Sequence, residues 1–148
     1  MHAAQLAEEF PVVTLDTNAL DAAGLLAEHR LPGILVTDSA GIPVAVLPAS
    51  QVVRFIVPSY VQDDPSLAGV LTESMCDRIS DKLRGKKVRD VIPDGLSNVP
   101  AADAGDTVIE VAAVMARLRS PLLAVMKGKE LVGVITASRL LAAVLTAC

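Results

Sequence analysis

The sequence predicts an α/β (α+β) protein of tandem β-α-β-β-α repeats packed around a pseudo-twofold axis. Three observations carry this expectation. Apolar periodicity switches between helical and extended, the chain matches itself at a fixed offset, and its strands are apolar on both faces. The 148 residues suit one domain of ordinary size or two fused half-domains of about 70 residues.

In the first copy a short strand is expected around Val12-Val13-Thr14. Asn18 to His29 follows with Ala19, Ala22, Ala23, Leu25 and Leu26 at helical spacing, and Asp16 or Thr17 as N-cap. Pro32 ends that helix and starts the apolar strand Gly33-Ile34-Leu35-Val36. Asp38-Ser39-Ala40-Gly41 reads as a hairpin turn, Val44-Ala45-Val46-Leu47 as the return strand, and Ser50 as cap of a helix over Gln51 to Val57. The second copy repeats the order: a short strand around Ser97-Asn98-Val99, a helix over Thr107 to Leu118 and a strand over Leu122 to Met126. The turn Lys127-Gly128-Lys129-Glu130, a strand over Leu131 to Ile135 and a helix over Ser138 to Ala147 complete it.

The copies align without a gap at an offset of 89 residues from Leu20 to Val36, setting Asp21 on Glu110, Leu26 on Met115, Arg30 on Arg119 and Pro32 on Pro121. A one-residue deletion in the turn changes the offset to 88. Val44 then meets Val132, Val46 meets Val134, Ala49 meets Ala137 and Ser50 meets Ser138. Strands apolar on both faces need cover on both sides, so the two copies are expected to pack on one another. The organisation is residues 1–57 as the first repeat with its N-terminal segment, 58–86 as a linker and 87–148 as the second repeat. Within the linker Leu67, Leu71, Met75, Ile79 and Leu83 recur every four residues, as on one stripe of an amphipathic helix.

Composition excludes several classes. A hydrophobic share of 52% with 20% charged residues rules out a disordered chain, and mean hydropathy is +0.51. The longest uncharged run, Ser39 to Val53, is broken by Pro43 and Pro48 and too short to cross a bilayer, so no membrane insertion is expected. Residues 1–9 lack the basic and apolar regions of a signal peptide, so a cytoplasmic protein is expected. Net charge is −4, with no Trp, one Tyr and two Phe, which argues against nucleic-acid binding.

The catalytic inventory is equally thin. Cys76 and Cys148 form no disulfide framework, and His2 and His29 have no partner at metal-ligand spacing. There is no Gly-rich phosphate loop or nucleophile elbow. Asp63-Asp64 beside Pro65 reads as a turn or helix cap, and Arg84, Lys86, Lys87 and Arg89 as a solvated helix end or a patch for an anionic surface. No catalytic residue, metal site or enzyme activity is expected.

Val88-Arg89-Asp90-Val91-Ile92-Pro93 and Pro121-Leu122-Leu123-Ala124-Val125 through Leu131-Val132-Gly133-Val134-Ile135-Thr136-Ala137-Ser138-Arg139-Leu140 resemble a CBS-domain pair, or Bateman module. The second run is similar to the family pattern of strand, turn and Gly-h-h-Thr-x-x-Asp-Leu entering a helix. Val57 to Pro65 is similar to small stand-alone bacterial members, and the resemblance covers about Val12 to Leu145. It implies an adenosine nucleotide (AMP, ADP or ATP) in the inter-repeat cleft, with no cofactor required. The glycine admits close approach, the threonine sits at a helix N-terminus, where phosphate is favoured, and the aspartate holds ribose hydroxyls.

Carried onto this chain, the resemblance marks Val99, Pro121, Leu122, Gly133, Thr136 and Arg139 as nucleotide-binding. Arg139 stands where the family has Asp; it can donate to an anion but cannot accept from ribose. In the first copy Ala45, Pro48 and Gln51 replace all three motif residues, so that site is expected to be vestigial. Two readings stand. One is a ligand-sensing regulatory module that acts on a separate partner, an enzyme or a membrane transporter. The other is a ligand-free homodimeric scaffold with degenerate sites. The resemblance implies a homodimer in either case.

Overall fold

The computed structural model describes residues 1–70, 78, 81–92 and 99–147. The elements run α1 (Ala3–Leu6), β1 (Val12–Thr14), α2 (Ala19–Glu28), β2 (Gly33–Thr37), β3 (Pro43–Pro48), α3 (Ala49–Ile56) and α4 (Ser59–Asp63). A 3₁₀ turn (Pro65–Val70) is followed by α5 (Val88–Val91), β4 (Ala101–Asp103), α6 (Val108–Leu118), β5 (Leu122–Lys127), β6 (Glu130–Thr136) and α7 (Ala137–Ala147). Two three-stranded sheets result, ordered β1-β2-β3 and β4-β5-β6, each with one parallel and one antiparallel pairing.

The repeat holds at the level of single hydrogen bonds. Val12 pairs with Leu35 and Ala101 with Ala124; Leu35 pairs with Val46 and Ala124 with Val134. Both hairpins shift register at the same place, between Val36 and Thr37 and between Val125 and Met126. The amide of Ala49 donates to Pro32 O and that of Ala137 to Pro121 O, each at 3.0 Å. Helices α2 and α6 both end in a left-handed residue that is not glycine, Arg30 (φ 52°) and Arg119 (φ 49°).

Alternation along the strands explains the unbroken apolar runs. Ile34 and Val36 enter the core under α2 and α3, while Leu35 between them faces the other way. Leu123 and Val125 likewise enter the core under α6 and α7, while Leu122 and Ala124 point opposite. Leu35, Leu122, Ala124 and Val134 form a third cluster where the sheets meet, edged by Phe10, Val46, Val99 and Met126.

Two leading segments cross between the halves. Ala3 and Leu6 of α1 are buried in the core of the second repeat, and the Ala3 amide donates to Asp106 O at 2.8 Å. Leu83, Val88, Val91 and Ile92 are buried in the core of the first, and the Val88 amide donates to Thr17 O at 2.9 Å.

Several local expectations are corrected. The strand that pairs with β5 is Ala101–Asp103 and does not include Val99, while Ser97 and Asn98 of the expected strand lie outside the described residues; the offset of 89 sets Val12 on Ala101 despite the weak strand propensity of Ala-Ala-Asp. Asn18, rather than Asp16 or Thr17, is the N-cap residue of α2, because Thr17 Oγ1 accepts from Thr14 N and closes the preceding turn. Pro48 holds the N-cap position of α3, so Ser50 lies inside the helix. In the linker Leu67 is 36% exposed on the 3₁₀ turn and Leu83 is buried in the first core. Leu71, Met75, Cys76, Ile79, Pro93, Ser97, Asn98 and Cys148 lie outside the described residues.

Candidate functional site

The site forms where β6 passes into α7. Thr136 is the last strand residue and also the cap of the helix: its Oγ1 accepts from Arg139 N at 3.3 Å and lies 3.2 Å from Ser138 Oγ. Thr136 is 7% exposed, one of two buried polar residues, with Thr37, among the described residues. Arg139, one turn into α7, is half-exposed and directs Nε to Glu8 Oε1 at 3.6 Å.

Glu8 is held there by backbone. Its amide donates to Val134 O at 2.9 Å, and the Val134 amide donates to Glu8 O at 2.8 Å, a short antiparallel bridge along the free edge of β6. Gly133 makes this approach feasible: a β-carbon there would lie 2.8 Å from Glu8 O and 3.0 Å from Ala7 Cβ.

Across from this junction stands the C-terminal end of α2. Glu8, Phe10, His29, Arg30, Leu31, Pro32, Thr136, Ser138 and Arg139 line a cavity of about 330 Å³, at the lower end of small-molecule sites. Two guanidinium-bearing residues, Arg30 and Arg139, face one carboxylate-bearing residue, Glu8, so the lining is locally cationic in a chain of net charge −4.

Of the six residues marked from the sequence, Thr136 and Arg139 converge on this cavity. Leu122 is the ladder partner of Thr136 and is buried at the junction of the sheets. Pro121 O accepts from the first turn of α7, and Pro121 Cγ lies 3.4 Å from where a β-carbon on Gly33 would stand. Gly133 is approached by residues 7 and 8 of its own chain. Val99 edges the sheet-junction cluster that holds Leu122 but does not line this cavity; it lines a separate one of about 370 Å³ with Ala101, Val114, Arg117 and Leu118.

Sequence reasoning missed Glu8, Phe10 and the run His29 to Pro32. It sought both walls in the second repeat, whereas the cleft joins one repeat's strand–helix junction to the other repeat's helix end. The offset held the signal: Phe10 is the counterpart of Val99 and Pro32 of Pro121. At the first-repeat counterpart of the junction, Gln51 Nε2 donates to Val91 O at 3.0 Å, and Pro48 offers no side-chain cap.

Among the described residues, no three His, Cys, Asp or Glu side chains gather to hold a metal ion. No helix among them is long and apolar enough to cross a membrane.

Fold and cleft together define a two-repeat protein whose halves face one another across a pseudo-twofold axis. The chain belongs to the CBS-domain family: the CBS domain model matches residues 4–58 and again residues 88–146. A CBS domain-containing protein of unknown function from Kribbella flavida is 59% identical with a TM-score of 0.84, covering 98% of this chain and 99% of that one. Two others share the fold. The CBS domain of a CBS domain-containing membrane protein from Sphaerobacter thermophilus is 19% identical with a TM-score of 0.70, covering 96% of this chain and 86% of that one. CBSX2, solved in complex with AMP, is 17% identical with a TM-score of 0.69, covering 99% of this chain and 97% of that one. No curated protein matches the sequence.

Proposed function

We propose that this CBS-domain pair is a ligand-sensing regulatory module that binds an adenosine nucleotide in the inter-repeat cleft and modulates a separate partner protein in the cytoplasm. The observation that carries the reading is the cleft itself, where apolar Phe10, Leu31 and Pro32 stand against the polar helix start at Thr136, Ser138 and Arg139. A base suits the first wall and a phosphate the second, where helix N-terminus and guanidinium both favour an anion. That CBSX2 was solved with AMP supports the same ligand class. Regulation follows if the ligand binds two arrangements of the repeats unequally.

The test is thermal unfolding of nucleotide-stripped protein with AMP, ADP, ATP and S-adenosylmethionine. A ligand at one hundred times its dissociation constant adds about 2.7 kcal/mol, a shift of several degrees. The expected result is a shift with one adenosine compound that Thr136→Val abolishes, measured against that variant's own ligand-free midpoint. A flat panel at millimolar concentrations would reject adenosine binding.

A ligand-free homodimeric scaffold with degenerate nucleotide sites is the second reading, and the homodimer common to both readings is supported by a specific pattern of exposure. Leu20 on α2 and its counterpart Ile109 on α6 are both exposed, as are Val53 on α3 and its counterpart Leu141 on α7. Ile109 reaches 73% exposure. An apolar surface duplicated at equivalent positions of both repeats suits burial in a symmetric interface. Light scattering distinguishes the two states: a dimer that Ile109→Lys with Leu141→Lys converts to monomer supports this face, and a monomeric wild type rejects it.

A further inference from the structure

The carboxylate of Glu8 approaches the one cation that stands at the helix start of the cleft, Arg139. Its position is not a matter of side-chain chance. Ala3 and Leu6 anchor the segment in the second core, and the paired bonds to Val134 fix the Glu8 backbone beside Gly133. An anionic group from the chain itself therefore lies against the guanidinium that an anionic ligand would seek.

We infer that Glu8 is an internal competitor for Arg139, so that a phosphate group binds in the cleft by displacing the Glu8 carboxylate from the guanidinium. This inference rests on the cleft as a ligand site but requires only an anion, not adenosine. The exchange is between acceptors of one donor: Arg139 gives up its contact with the carboxylate and takes the phosphate oxygens, while the Glu8 backbone stays bridged to Val134. Both side chains are about half-exposed, which allows the carboxylate to turn outward into water. Glu8 thereby sets a threshold: a group of greater negative charge wins the guanidinium more readily than a singly charged one.

Calorimetric titration with inorganic pyrophosphate and with ADP tests this on the wild type, Glu8→Gln, Arg139→Gln and the double variant. Removing an exposed competing pair should tighten binding of pyrophosphate by about two- to fivefold in Glu8→Gln. Arg139→Gln should weaken it about tenfold or more, and the double variant should bind no tighter than Arg139→Gln, because the competitor has lost its object. Equal affinity of wild type and Glu8→Gln, or the same tightening with and without Arg139, would overturn the inference. So would the absence of binding by pyrophosphate and ADP to every form. If ADP binds no tighter than pyrophosphate while Glu8→Gln still tightens both, the competitor stands and the adenosine reading falls.

Discussion

The carbonyl oxygen of Glu8 lies 2.8 Å from the point that a β-carbon on Gly133 would occupy. No real β-carbon tolerates a backbone atom so near, and Glu8 is tied on both its amide and its carbonyl to Val134. Gly133→Ala therefore forces the N-terminal segment away from β6. The cost is of the size of an overpacked core, about 1–3 kcal/mol, or a fall of several degrees in Tm. Amide exchange locates the damage: Val134 N–H, which donates to Glu8 O, should lose protection in the variant. An unchanged Tm with Val134 still protected would contradict the close approach.

The same pair of residues marks what the sequence could and could not convey. The repeat was legible because each copy carries its own punctuation: Arg30 with Pro32 and Arg119 with Pro121 fix where each helix ends and each core strand begins. The burial of those strands on both faces followed from their unbroken apolar runs, and the sheet-junction cluster of Leu35, Leu122, Ala124 and Val134 bears it out. The crossing of α1 into the second core was not legible. Nothing local in Ala3-Ala4-Gln5-Leu6 distinguishes burial against Val111 and Leu123 from burial in its own half. For the same reason Thr136 and Arg139 were found as a pair, while Glu8 and Phe10, remote in sequence, were not. Val99 is marked by the resemblance alone; 37 residues before Thr136, it lines a separate cavity.

Arg30 and Arg119 end their helices with positive φ, at 52° and 49°, where an L-residue is strained. The amides that follow them close the helices: Leu31 N donates to Leu26 O at 3.0 Å and Ser120 N to Met115 O at 3.4 Å. Glycine suits this position, and its greater freedom in the unfolded chain offsets only part of the relief. Arg119→Gly should raise stability by about 0.5–1 kcal/mol, with Arg30→Gly adding a similar increment, as for well-separated sites. Chemical denaturation checks this through the midpoint at constant slope. A loss of stability in both variants would show that the arginine side chains do more than their backbone strain costs.

Asp16 ties the loop between β1 and α2 to the crossing segment at α5. Its carboxylate accepts from the Arg89 guanidinium and lies 3.8 Å from Lys87 Nζ. The hydrogen bond from Arg89 lowers the Asp16 pKa below the ordinary carboxylate value of 3.8, the positive charge of Arg89 adds to this, desolvation opposes it, and the charge of Lys87 makes the smallest contribution, also downward. A carboxylate whose pKa falls on folding stabilises the native state only while it is ionised. The contribution is fully present above pH 3.8 and is lost as pH falls through the lowered folded value. Asp16→Asn removes it at every pH. The wild type should therefore melt above Asp16→Asn by a small, constant margin from pH 7 to pH 5, and the margin should close below pH 3.8. Because Asp16 is exposed, added salt should narrow the margin at neutral pH as well. A margin that persists undiminished at pH 2.5 would mean that Asp16 acts through the geometry of its loop rather than through its charge.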